Sequence, residues 1–250
     1  MPISIIKQEN NLLLLPEINQ QFSKMLKSDW FDINFWQHQD AVTGQSRGRN
    51  ITWFVGHQDD EWVLRHYYRG GMVAKLLGDK YLFSDIKNTR CYRELLLLEQ
   101  MFLQGLPVPK PIAARVTTQN IFYRADLLIE KIPHAEDLVQ KLTKENIAEA
   151  IWHSIGSMIA KFHEAGIFHS DLNAHNILLD NNNKVWLIDF DKCEQRTVAY
   201  SWQQANLQRL QRSLVKEKGL HRNFAFDDQC WRWLIGGYEY FYQLSSDGNQ

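Results

Sequence analysis

Residues Phe168 to Asp180 read FHSDLNAHNILLD. Asp171 is followed five positions later by Asn176, between a His and an aliphatic run. The next segment, NNNKVWLIDFD (Asn181 to Asp191), is a polar turn, an apolar strand and, at the strand's end, Asp189. Moving a γ-phosphoryl group requires Mg²⁺ to neutralise phosphate charge, and Asp and Asn supply the hard oxygens that hold it. It also requires a carboxylate beside the attacking hydroxyl, to orient it and accept its proton. Asp171 is the candidate base; Asn176 and Asp189 are the candidate metal ligands. An Asn-rich loop or a strand-end cap accounts for either half alone. Both halves in this order, with a strand between them, favour phosphoryl transfer.

Working outward, the chain has 250 residues, enough for one large domain or two packed lobes. Hydrophobic residues at 44% and charged residues at 23% are ordinary globular values and argue against wholesale disorder. The 28 Lys and Arg nearly balance 29 Asp and Glu, which argues against a dedicated nucleic-acid binder. Cys91, Cys193 and Cys230 show no CxxC spacing, so no disulfide framework or zinc site is expected, and a reducing cytoplasm fits. The opening MPISIIKQENNLLLLPE reads as neither a signal peptide nor a membrane span.

The segment NITWFVGHQDDEWVLRHYYRGG predicts a hairpin of Ile51–Val55 and Trp62–Tyr67. In DIKNTRCYRELLLLEQMFLQGLPVP, Leu95, Leu98 and Phe102 recur at helical spacing, with Gly105 as the stop and Pro107 and Pro109 beyond it. IFYRADLLIEKIP reads as a strand ending at Pro133, and Thr143 with Glu145 and Asn146 as the opening of a helix that stops at Gly166. A strand-rich part therefore meets a helix-rich part near Pro133, the pattern of an α+β chain in two lobes, residues 1–132 and 133–250.

The first part carries its own phosphate-binding candidates. Gly44 and Gly48 precede a strand in TGQSRGRNITWFV, as a reduced glycine-rich loop or a plain hairpin turn. Arg65 in WVLR is a cation able to grip phosphate oxygens as a planar fork. Glu94 on the following helix is the expected partner of Arg65, with Glu99 the competing carboxylate; Glu94 is favoured because it lies just ahead of the apolar register that must pack on the sheet.

HSDLNAHN and IDFD resemble the catalytic and metal-binding segments of protein kinases, with Ser170 and Asp191 replacing an Arg and a Gly. WVLRHYYRGG (Trp62 to Gly71), GLPVPKPIAARV (Gly105 to Val116), HSDLNAHNILLD and WLIDFDKC (Trp186 to Cys193) narrow the resemblance to the lipopolysaccharide kinases of Gram-negative bacteria, from about Gly44 to Leu214. The resemblance implies a bilobal protein-kinase-like fold, a small antiparallel-sheet lobe followed by a helical one, with ATP and Mg²⁺ in the cleft under a hinge at Glu130 to Ile132. It also implies transfer of phosphate to the 4-hydroxyl of a 3-deoxy-D-manno-octulosonic acid (Kdo) sugar on the lipid A precursor. Asn173 stands where protein Ser/Thr kinases place a Lys, and the stretch after Asp189 has no A-P-E and no Pro, which fits a small-molecule acceptor. Heptose and aminoglycoside kinases would share Asp171, Asn176 and Asp189; Arg65 in place of the usual Lys also leaves open a nucleotide-binding pseudokinase.

Two regions bear on the acceptor. Residues 65–93 hold seven Lys and Arg against two Asp, and residues 196–222 hold six against one Glu. In the second, Leu207, Leu210 and Leu214 form an apolar stripe led by Trp202, with Arg209, Arg212 and Lys216 elsewhere around the helix. This is either a solvated lobe helix or a helix that rests on an anionic membrane, which would place the protein peripherally on the cytoplasmic face of the inner membrane. No protein partner is indicated.

Overall fold

The structure, a computed structural model, describes residues 3–47, 51–69 and 78–247. The chain divides into two compact units: Met1–Leu103 with Pro109–Lys131, and Gln104–Val108 with Ile132–Gln250.

The first unit is built on one antiparallel sheet. Its strands are β1 (Ile3–Gln8), β2 (Asn11–Pro16), β3 (Val42–Arg47), β4 (Ile51–His57), β5 (Asp60–His66), β6 (Tyr81–Leu82), β7 (Pro111–Gln119) and β8 (Phe122–Glu130). Among the described residues their order is β1-β2-β7-β8-β5-β4-β3, with β6 also paired to β8. Side chains alternate across a strand, and β5 uses both faces. Trp62 and Leu64 enter a core with Leu13, Leu15, Val55 and Leu128, over which the segment with helix α1 (Ile33–Gln37) lays Leu26, Trp30, Phe31 and Trp36. Arg65 points to the other face, toward helix α2 (Arg90–Leu103), whose Leu95, Leu98 and Met101 are buried.

Residues 3–40, which motif reading leaves unassigned, thus extend and cover this sheet. Their signal is a hairpin in which two apolar runs flank ENN; Glu9 takes a left-handed φ of 52° there. Gly44 corrects an expectation: it lies inside β3, opposite Phe54 and beside a bulge, rather than in a loop before a strand. A Cβ there would meet the Phe54 ring at 3.1 Å, so its small size serves packing. Gly48 lies outside the described residues.

The second unit carries β9 (Glu136–Asp137), β10 (Ile167–Phe168), β11 (Ile177–Leu179), β12 (Val185–Leu187) and β13 (Glu194–Gln195). Its helices are α3 (Leu138–Lys144), α4 (Glu149–Glu164), α5 (Tyr200–Leu220) and α6 (Asp228–Asp247). Helices α4 and α6 pack backbone to backbone: a Cβ on Gly156 would lie 1.9 Å from the Leu234 carbonyl oxygen, and one on Gly237 would lie 2.2 Å from that of His153. The expected opening of α4 at Thr143 is corrected. Thr143 belongs to α3, where its hydroxyl donates to the Gln140 carbonyl, and α4 begins at Glu149. Gly166 does end the helical segment, at φ 74°, where a Cβ would also strike the Arg196 carbonyl oxygen.

Candidate active site

In the second unit, β11 and β12 form an antiparallel pair, Ile177 opposite Leu187, closed by a turn in which Asp180 accepts from the amides of Asn182 and Lys184. Asn176 immediately precedes β11 and Asp189 follows β12 by two residues. The Ile188 amide donates to the Asn176 carbonyl at 3.0 Å, so the pairing continues to the point where both candidate ligands emerge. Asp189 holds a left-handed φ of 64°, uncommon for a residue with a side chain. Such outliers cluster at functional sites.

The loop before β11 is held from three sides. His169 is buried; its Nε2 lies 3.0 Å from the Ile188 carbonyl, and its Nδ1 accepts from the Asp171 amide at 3.2 Å. That pattern requires the neutral tautomer with the proton on Nε2, and burial pushes the pKa of His169 down accordingly. Asn206 of α5 donates to the His169 carbonyl at 3.0 Å and accepts from its amide at 3.2 Å. The Ser170 hydroxyl donates to the Asp191 carbonyl at 2.8 Å, so the two positions that depart from the protein-kinase pattern meet each other. The Ala174 amide donates to the Ser213 hydroxyl, again on α5.

Asn173 caps the 3-10 turn Ala174–Asn176, accepting from the amides of His175 and Asn176 at 2.9 and 3.2 Å. Asn176 Nδ2 donates to the Asp171 carbonyl at 2.9 Å. Because a carbonyl only accepts, this bond fixes the amide orientation and turns Oδ1 the other way, as a cation ligand needs. One amide oxygen and one carboxylate fit Mg²⁺, which keeps several waters and takes few protein ligands besides substrate phosphates. Among the described residues there is no cluster of three or more His, Cys, Asp or Glu that could hold a metal by itself.

Asp171 directs its carboxylate outward. Arg209 of α5 donates to Asp171 Oδ1 through Nε at 3.0 Å and through Nη2 at 2.7 Å. The pair is half-exposed, at 47% for Arg209 and 53% for Asp171.

In the first unit, Arg65 Nη2 donates to Glu94 Oε2 at 2.5 Å, and the Tyr67 hydroxyl donates to the same oxygen at 2.5 Å. Glu94 is 3% exposed. Burial and the Glu94 charge raise the Tyr67 pKa well above its ordinary value. Glu99 is engaged elsewhere, accepting from the Ile18 amide at 3.1 Å. Glu130 ends β8 with its amide donating to the Lys110 carbonyl, and burial raises its carboxyl pKa. Ile132 is the first residue of the second unit's main segment and is buried.

Asp171, Asn176 and Asp189 are therefore on one loop-and-hairpin assembly, and Arg65 and Glu94 form one ion pair. Arg209, Asn206 and Tyr67 escape motif reading. For the two on α5 a signal existed: Asn206, Arg209 and Ser213 recur at helical spacing beside the apolar stripe. That stripe, Leu207, Leu210 and Leu214, is buried and not offered to solvent.

A model of the Lipopolysaccharide kinase (Kdo/WaaP) family matches residues 33–238. A 3-deoxy-D-manno-octulosonic acid kinase of Photobacterium profundum is 46% identical over 209 residues, covering 84% of this chain and 88% of the relative. Another, of Haemophilus influenzae, is 42% identical over 241 residues, covering 92% and 98%. The chain belongs to the Lipopolysaccharide kinase (Kdo/WaaP) family and is a kinase. No helix among the described residues is long and apolar enough to cross a membrane.

Proposed function

We propose that this kinase transfers the γ-phosphate of ATP to the 4-hydroxyl of a Kdo sugar on a lipid A precursor, during lipopolysaccharide core biosynthesis. The observation that carries the reading is the outward Asp171 carboxylate, on the same assembly as Asn176 and Asp189, in a chain so similar to kinases named for that sugar acid. Asp171 accepts the hydroxyl proton as the sugar oxygen bonds to the γ-phosphorus; the bond to the bridging oxygen breaks and ADP leaves. Asn176 and Asp189 would hold Mg²⁺, which supplies charge neutralisation on the phosphates. Arg65, braced by Glu94 and Tyr67, serves the nucleotide phosphates, and the chain from Glu130 to Ile132 serves the base. His169, Asn206 and Ser170 hold the loop still.

A peripheral contact with anionic lipid at the inner leaflet belongs to the same reading. It is electrostatic, since the apolar stripe of α5 is buried, and rests on Arg212 and Lys216, both exposed. Each such residue near an anionic surface contributes about 1 kcal/mol, screened within about 8 Å at physiological salt. The test incubates protein, labelled ATP and Mg²⁺ with lipid A precursor bearing or lacking Kdo. Label only in the Kdo-bearing lipid is expected; equal labelling of both lipids would refute the acceptor. For the membrane contact, replacing Arg212 and Lys216 with Gln lowers vesicle co-sedimentation, and unchanged sedimentation counts against it.

A further inference from the structure

We infer that Arg209 is the residue that selects an acidic acceptor, by binding the sugar carboxylate beside the hydroxyl that Asp171 activates. The inference rests on the proposed role of Asp171 and on a Kdo acceptor. Arg209 spends Nε and Nη2 on a single oxygen, Asp171 Oδ1. Among the described residues, Asp171 Oδ2 accepts no hydrogen bond and Arg209 Nη1 donates none. One side of the pair therefore offers an acceptor for a hydroxyl proton, and the other a guanidinium edge with donors to spare. That edge is the planar fork that matches a carboxylate with two parallel bonds.

The half-exposed pair contributes little to stability, so its burial does not explain it. Arg209 also lies 38 residues from Asp171 in sequence, on a helix whose Asn206 and Ser213 fasten the same loop. The guanidinium is thus set against Asp171 by a rigid element. Asn173, two residues after Asp171, is consumed as a turn cap and supplies no charge; among the described residues the cation hydrogen-bonded to the base is Arg209.

The acceptor chemistry matches. In Kdo, C2 carries the carboxylate and C4 the hydroxyl, with C3 between them. The carboxylate carbon and the 4-oxygen are then on the order of 4–5 Å apart, three C–C bonds and one C–O bond along the chain. A hydroxyl placed on Asp171 Oδ2 brings its own carboxylate within reach of the Nη1 edge. During transfer Arg209 neither gains nor loses a proton: the hydroxyl proton goes to Asp171, the new bond is from O4 to phosphorus, and ADP departs. A neutral sugar would leave the edge to water, so discrimination follows from a missing partner.

The experiment compares the parent, Arg209→Gln and Arg209→Lys on two acceptors: the Kdo-bearing glycolipid and the same glycolipid with its carboxyl converted to a primary amide. For the parent, the amide raises the acceptor KM about tenfold or more, as loss of a charged hydrogen bond does. Arg209→Gln raises the KM for the acid by a similar factor, leaves the KM for ATP unchanged and no longer distinguishes acid from amide; Arg209→Lys recovers part of the preference. The inference is overturned if Arg209→Gln keeps the parent's preference, or if it loses kcat equally on both acceptors or raises the KM for ATP, since Arg209 would then serve the base or the phosphates. If the parent phosphorylates neither glycolipid, the Kdo assignment itself fails and takes this inference with it.

Discussion

Each unit of this protein contains one arginine–carboxylate pair next to a proposed site, and the two are built oppositely. Arg65 and Glu94 are 21% and 3% exposed and share a third group, the Tyr67 hydroxyl. Arg209 and Asp171 are 47% and 53% exposed, and among the described residues no third side chain hydrogen-bonds to either side chain. A buried pair is costly to open, because either partner alone is left charged and without water. An exposed pair adds little to stability and leaves its spare donors and acceptors open to a ligand. The first suits a fixed cation for a nucleotide that is always the same, and the second a cation with an open edge beside the acceptor.

Breaking the open pair at its carboxylate has the largest expected effect. Asp171→Ala slows phosphoryl transfer by about two to four orders of magnitude, the usual size of a lost general base, with nucleotide binding and thermal stability nearly unchanged. Rapid-quench transfer and calorimetry read the two separately; near-parental turnover would mean that another group serves as base.

Breaking the closed pair acts on folding instead. Glu94→Ala leaves Arg65 and Tyr67 without their shared acceptor and destabilises the protein by about 3–5 kcal/mol, measured by urea denaturation. A loss below about 1 kcal/mol would place this pair in the same class as the open one.

Acid sharpens the contrast between the units. Burial lowers the pKa of His163, on α4 with Nδ1 2.9 Å from the Tyr238 hydroxyl, to about 4. Its folded value lies below the unfolded value of 6.5, so the unfolded chain binds the extra proton. The stability concerned is complete above about pH 6.5 and is lost as pH falls toward 4, about 3 kcal/mol in all. His66, in the first unit, has the opposite sign. Burial pulls its pKa down, but hydrogen bonds and charge from Asp126 and Asp79 outweigh that and leave it raised. Its contribution is complete below 6.5 and fades as pH rises through the folded value. His163→Gln should flatten the acid side of the stability profile and His66→Gln the alkaline side; the same change in both variants would contradict these assignments.

The smallest expected effect is on the stability of the open pair. Arg209→Gln changes unfolding free energy by less than about 1 kcal/mol. A loss comparable with that of Glu94→Ala would make Arg209 a folding residue.

What could be read from sequence was local. HSDLNAHN and WLIDFD each span a few residues, so spacing alone puts Asp171, Asn176 and Asp189 on adjoining turns and strand ends. Arg65 and Glu94 were legible across 29 positions, because strand alternation and helix register each leave one face for them. Arg209 was not, because nothing in a helical pattern says which distant loop its polar side will meet. The sheet cover from Leu26 to Trp36 was missed for a related reason: short 3-10 turns have no long period, and their aromatics gain meaning only against Trp62 and Leu64. The place of Gly44 inside β3 was not legible, because a glycine in a strand and one in a phosphate loop look alike in sequence.

The most direct test of the account is the position of the transferred phosphate. The parent protein, ATP and Mg²⁺ are incubated with Kdo-bearing lipid A precursor, and the product is analysed by mass and by phosphorus–proton correlation. The account predicts a single added phosphate on the Kdo 4-oxygen. A phosphate on any other hydroxyl, or an unmodified lipid with ATP intact, would contradict it.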